Sequence, residues 1–204
     1  MRPAASLAPA ILASLLVLAA ATVPSEGFAQ VKNLEALCRL HGMNQEENVG
    51  RIREAFTAAL SAGITEEELL PFVEDILKHK LNCSQMVRVL NASTKLRAAG
   101  LPYFVVFSKV REGVTKEAPP ALVVEAAEAK LKTLIESRDV LESLKSSGYR
   151  VLDYQNAAVI ISSYIEKGYK AGEVVTRIGN KGIEGAGFAA LSGVLEQTVK
   201  RKER

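Results

Sequence analysis

Two cysteines and two histidines are the whole supply of thiol and imidazole in this 204-residue chain. They come in two short pairs, Cys38-Arg39-Leu40-His41 and His79-Lys80-Leu81-Asn82-Cys83. Offsets of three and four residues put both members of a pair on one face of a helix. One chemistry open to them is a tetrahedral zinc site with Cys38, His41, His79 and Cys83 as ligands. The other is a disulfide between Cys38 and Cys83, with the histidines incidental. The two exclude each other, because a zinc ligand must be a thiolate, and two free thiols are what remains if neither forms. An oxidising destination favours the disulfide. It would stabilise by about 3–4 kcal/mol through loop closure and pin a short helix around Leu34 to Leu40. The chain has no C-x-x-C and no C-x-x-C-H, so thioredoxin-type exchange and covalent haem lack support.

The destination is written at the N-terminus. Arg2 is a basic n-region, Ala8 to Ala21 a nearly unbroken apolar run, and Gly27-Phe28-Ala29 a small-residue cleavage site. The run is short for a membrane span. Residues 1–29 therefore read as a signal peptide cut after Ala29, with retention as an anchor as the alternative. Residues 30–204 read as a single domain with no transmembrane span in the mature chain. The expected location is periplasmic or secreted. A net charge of +3, with 26 basic residues against 23 acidic, is no nucleic-acid footprint. Only Lys200 to Arg204 is locally basic, as a solvated tail would be.

A second candidate is "GNKGIEGAGFAALSG", Gly179 to Gly193, with five glycines in fifteen positions. A phosphate loop needs G-K-[ST] after a strand, and neither is present. The milder readings are a helix ending at Gly182 and another opening at Gly185-Ala186-Gly187. Ala186, Ala190 and Gly193 would then form a close-packing strip, and Lys181, Gly185 and Gly187 a weak anion site at the new N-terminus. Glu66, Glu67 and Glu68 are explained as a helix start. Glu136-Ser137 resembles the Glu-Ser of peptidoglycan-cleaving transglycosylases, but the glycine-rich substrate motif of that family is missing. All five tyrosines, Tyr103 to Tyr169, lie in the second half, as core anchors or as the lining of a peptide or glycan groove. Asn82-Cys83-Ser84 and Asn91-Ala92-Ser93 match glycosylation sequons, of consequence only in a eukaryotic secretory pathway.

The elements that must position these residues are helical nearly throughout. Apolar stripes at three-to-four-residue spacing run through Val49, Ile52, Phe56 and Leu60; Leu69, Val73, Ile76 and Leu77; Val124, Ala127, Leu131 and Leu134/Ile135; Tyr154, Ala157/Ala158, Ile161 and Tyr164/Ile165; and Phe188, Leu191, Val194/Leu195 and Thr198/Val199. "YFVVF", Tyr103 to Phe107, could pass for a strand, but Pro102 suits the first turn of a short buried helix. Thr65 and Glu68 form a capping box. Pro71 either kinks that helix or marks its start. Pro119-Pro120 opens a long helix, and Asp153 caps the next. Gly63, Gly100, Gly113, Gly148 and Gly168, each followed by an apolar residue, read as helix stops. "LSAGIT", "VREGVT" and "IEKGYK" suggest a degenerate helix-pair repeat.

"KVREGVTKEAPPALVVEA", Lys109 to Ala126, is similar to an E-G-x-x-K-x-x-P-P element of uncharacterised exported bacterial helical proteins. The resemblance implies no activity. The expected fold is all-α, an irregular multi-helix bundle or short α-solenoid of about eight to ten helices. The expected role is a non-enzymatic periplasmic binding or structural module with a protein or cell-envelope partner and no cofactor. The alternative is a small envelope enzyme or zinc-binding protein centred on Cys38, His41, His79 and Cys83.

Overall fold

The computed structural model describes residues 26–197. The fold is all-α: α1 (Glu26–Leu40), α2 (Glu46–Ser61), α3 (Glu66–Lys78), α4 (Cys83–Ala98), α5 (Phe104–Thr115), α6 (Pro120–Ser146), α7 (Tyr154–Glu166) and α8 (Ala171–Gly185). A two-stranded antiparallel ribbon, β1 (Tyr149–Val151) with β2 (Leu195–Gln197), pairs Arg150 opposite Glu196. The expected cut after Ala29 falls inside the first turns of α1. The apolar run Ala8–Ala21 and the basic tail Lys200–Arg204 lie outside the described residues. Among the described residues no helix is long and apolar enough to cross a membrane.

One device closes all eight of these helices. The residue after each C-cap has positive φ: Gly42, Gly63, Lys80, Gly100, Glu117, Gly148, Gly168 and Gly187. The next residue is apolar every time and in seven of the eight donates back to the helix, as in Ile64 N to Ala59 O (3.1 Å), Leu101 N to Leu96 O (2.9 Å) and Phe188 N to Ile183 O (3.0 Å). This is the Schellman arrangement, which satisfies two orphan carbonyls and turns an apolar side chain inward. Ile64, Leu81, Leu101, Tyr149 and Phe188 are all buried. Helix starts are equally local. Glu68 Oε2 accepts from the Thr65 amide (3.1 Å) and hydroxyl (2.9 Å). Asp153 caps α7 through the Asn156 amide (3.0 Å). Asn82 caps α4, exchanging bonds with Gln85 at 2.9 and 3.0 Å, so the first sequon asparagine serves a helix start. Pro71 lies inside α3 and does not mark its start.

The 27-residue α6 is about 40 Å long at 1.5 Å per residue and is the spine. Its first half buries Val123, Val124 and Ala127 against α4 and α5; its second buries Val140, Leu141 and Leu144 against α7, α8 and β1. α2 packs on α4, and α1 closes that end against α2 and α3. The Glu112–Pro120 element is the α5–α6 hairpin. Glu112 pairs with Lys109 (2.9 Å) and Lys116 (2.5 Å), Gly113 admits Val123, and Pro120 takes the first position of α6.

Three expectations are corrected. Gly113 ends no helix: it lies inside α5, and Glu117 makes the stop. The three-fold repeat therefore loses its middle member. The fifth stripe is no helix from Phe188 to Leu195, and its last members, Thr198 and Val199, lie outside the described residues. Phe188, Leu191, Val194 and Leu195 are buried as expected, but through a 3-10 turn (Ala189–Leu191) and β2. Glycines at 187 and 193 leave too short a run to repay helix nucleation, and β1 offers the backbone a ladder instead. Finally, Ala186, Ala190 and Gly193 form no packing strip. A Cβ on Gly179, Gly182, Gly187 or Gly193 would meet nothing within 4 Å. Gly182 (φ 72°) and Gly187 (φ 76°) are there for backbone conformation, Gly182 breaking α8.

Candidate functional site: a cleft over a buried thiol pair

The α1–α2 and α3–α4 connections lie side by side and enclose a cleft of about 420 Å³. His41 to Gln45 and Asn48 form one wall; Leu77 and Lys80 to Cys83 form the other. Local chemistry sets both walls. Gly42 and Lys80 occupy the left-handed closing positions of α1 and α3. Met43 N bonds Cys38 O (2.9 Å), and Leu81 N bonds Ile76 O (3.2 Å). Asn82 then starts α4 with Cys83 as its first residue.

Both cysteines belong to the hydrophobic core, Cys38 at 0 % exposure and Cys83 at 6 %. Their thiols are free, so the expected cystine is not formed in this structure. Cys83 Sγ donates to Asn48 O at 3.4 Å. Position at a helix N-terminus would favour a thiolate. Burial outweighs it: desolvation holds the Cys83 thiol above its ordinary value, with Arg51 opposing and Glu47 reinforcing. Cys38 is pushed up to about 11, first by burial, then by the neighbouring Cys83 and by Glu35. The pair shares one electrostatic neighbourhood, and both members are held neutral.

The histidines divide. His41 stays on the cleft with Cys83. His79 turns away, with Nε2 2.8 Å from Ala118 O, joining the end of α3 to the α5–α6 hairpin. Cys38, His41, His79 and Cys83 thus do not converge. Among the described residues no group of three or more His, Cys, Asp or Glu is placed to hold a metal ion.

The expected anion site meets the wrong helix end. Lys181 and Gly185 line a cleft of about 360 Å³ with Glu184, Ser192, Leu195 and Gln197. Gly185 ends α8 and Gly187 closes it, so carbonyls lie there and the end is electronegative. Gly187 O accepts from the Tyr164 hydroxyl (3.4 Å).

Other candidates are built into the scaffold. Ser137 Oγ, fully buried, donates to Leu134 O (2.7 Å). Tyr103 donates to Glu68 (2.7 Å), Tyr149 to Ile178 O (3.1 Å) and Tyr154 to Glu142 (3.3 Å). Tyr164, Tyr169 and Phe188 meet edge to face, with centroids 4.3 to 5.8 Å apart. Tyr103, Tyr149, Tyr154 and Tyr164 act as anchors with partnered hydroxyls, and Tyr169 through its ring contacts.

One buried ionic group escaped the sequence reading. Lys130, 8 % exposed on α6, donates to Ser162 Oγ (3.1 Å) and Glu166 Oε1 (2.8 Å) on α7. The same carboxylate accepts from Thr133 (3.3 Å). The available signal was spacing: Lys130 sits in the buried stripe between Ala127 and Leu134. Comparison with protein-family models, with curated proteins and with solved structures gives no match.

Proposed function

We propose that this chain is an exported, non-enzymatic helical module that binds a protein or cell-envelope partner, with Cys38 and Cys83 joined as a cystine in the exported form. The observation that carries this reading is what the polar groups do. Glu68, His79, Asn82, Lys130 and Asp153 each close a helix end or an interhelical contact. Each is thus engaged in holding the scaffold. Two thiols in one core, 0 % and 6 % exposed, suit a staple that ties α1 to the start of α4. The basic n-region and apolar run before Ala29 support export, as does the likeness of Glu112–Pro120 to exported bacterial helical proteins.

The test is the intact mass of protein recovered without reductant from the exported fraction, measured denatured and native. A chain beginning at Gln30 and lacking two thiol hydrogens supports the reading. A full-length chain with two thiols and a chelator-sensitive metal adduct would overturn it in favour of a metal-binding protein.

A further inference from the structure

We propose that the cleft over Cys83 is a thiol–disulfide exchange site for small peptide-like disulfides bearing carboxylates, with Cys83 as the attacking thiol and Cys38 as the resolving one. This deepens the exported-module reading and rests on its cystine. The asymmetry between the thiols is geometric. Cys83 lines an open cleft of about 420 Å³, whereas Cys38 is fully buried behind it. Met43 links the two, lining the cleft while its amide holds the Cys38 carbonyl at 2.9 Å. A reagent from solvent therefore meets Cys83 first.

The lining fits such a reagent. Asn44 offers its side-chain amide. Asn48 donates to Gln45 Oε1 (2.6 Å) and Asn82 Oδ1 accepts from Gln85 N (3.0 Å), which leaves the Gln45 and Asn82 NH2 groups and the Asn48 oxygen to a ligand. Lys80 adds an exposed ammonium with no ion pair among the described residues. Amides complement peptide groups, and the ammonium complements a carboxylate.

Exchange proceeds in two balanced steps. Cys83 loses its proton to water and attacks one sulfur of RS–SR; the Cys83–SR bond forms and RS⁻ leaves, to be protonated. Cys38, deprotonated in turn, attacks Cys83 Sγ; the Cys38–Cys83 bond forms and the second RS⁻ leaves. The two protein thiols are oxidised, and the small disulfide is reduced to two thiols. Burial of both thiols makes each step slow compared with an exposed cysteine.

The experiment uses reduced mature protein, oxidised glutathione as the probe, and intact mass with peptide mapping. Cys38→Ser should accumulate a glutathione adduct on Cys83. Cys83→Ser should modify Cys38 at least about tenfold more slowly, since Cys38 reacts only through opening of the fold. The wild-type chain should pass to the cystine without accumulating adduct. Lys80→Glu should slow glutathione disulfide but not cystamine, a cationic disulfide. Brief alkylation of the unmutated reduced protein should label Cys83 before Cys38, which keeps the test independent of how the variants fold. Equal labelling of the two thiols, or a wild-type chain that stops at a Cys83 adduct, overturns the proposal. Reduced thiols in the exported fraction, with the purified protein still passing through a Cys83 adduct to the cystine, would count against the functional reading and leave the exchange site standing.

Discussion

Gly113 lies directly beneath Val123: a Cβ placed on this α5 glycine would sit 2.8 Å from Val123 Cγ2 of α6. Glycine inside a helix ordinarily costs about 1 kcal/mol relative to alanine. Here the missing methyl is what lets α5 and α6 approach. Val123 is 1 % exposed and β-branched, so it has little freedom to withdraw. Overpacking costs about 1–3 kcal/mol, so Gly113→Ala should lower stability by about 1 kcal/mol net. In a Val123→Ala background the same change should become neutral or favourable. A urea double-mutant cycle reads the coupling; additive effects would refute the contact.

Lys80 (φ 59°) and Glu117 (φ 52°) hold closing positions that the other six helices give to glycine. A left-handed non-glycine residue is strained by about 1–2 kcal/mol, partly offset by the greater unfolded freedom of glycine. Lys80→Gly and Glu117→Gly should each stabilise by about 0.5–1 kcal/mol, seen as a higher urea midpoint at unchanged slope. Gly168→Ala is the converse. Its Cβ would meet nothing within 4 Å, but φ is 96°, so it should destabilise by about 1 kcal/mol through backbone strain alone.

The Lys130–Glu166 pair should respond asymmetrically. Glu166→Ala strands an ammonium that is 8 % exposed and should cost about 1–3 kcal/mol. Lys130→Met replaces it with an apolar chain of similar length and should change stability by less than about 1 kcal/mol. Thermal or urea unfolding of both variants decides the matter: equal losses would mean that the pair itself, rather than the buried charge, carries the effect.

Stability should fall at both pH extremes for different reasons. Hydrogen bonds from Tyr103 and from the Thr65 amide hold Glu68 below its ordinary carboxyl value. Its contribution is therefore present above that value and lost as pH falls through the folded one. Tyr103→Phe should raise the Glu68 midpoint in a carbon-13 NMR titration. At the alkaline end, reduced Cys38 titrates at about 11. The unfolded thiol ionises earlier, so stability should decline as pH rises from the ordinary thiol value toward 11. The cystine form lacks that titration, so matching alkaline profiles for the two redox forms would disprove the assignment.

Local chemistry made most of the helices legible. The stripe through Val49, Ile52 and Phe56, the caps at Thr65 and Asp153, and the stops at Gly63, Gly100, Gly148 and Gly168 act within a few residues of themselves. Lys80 and Glu117 were hidden as stops because the bond and inward apolar residue that define them follow a side chain that signals neither. Gly113 misled because a close approach and a helix stop both call for glycine, and only the position of Val123 distinguishes them. The same limit governs the candidate site. The sequence by itself determined an all-α chain and a leader-like N-terminus; it put His79 and Cys83 on one helical face, whereas His79 caps the end of α3 and Cys83 opens α4. Only the tertiary structure decided that His79 leaves for Ala118, that Cys38 lies buried behind the cleft that Cys83 lines, and that Lys130 is buried against α7. It also decided that the last apolar stripe becomes a strand, because Leu195–Gln197 finds its partner in Tyr149–Val151. Those outcomes depend on groups far apart in the chain, and no periodicity of three or four residues carries that information.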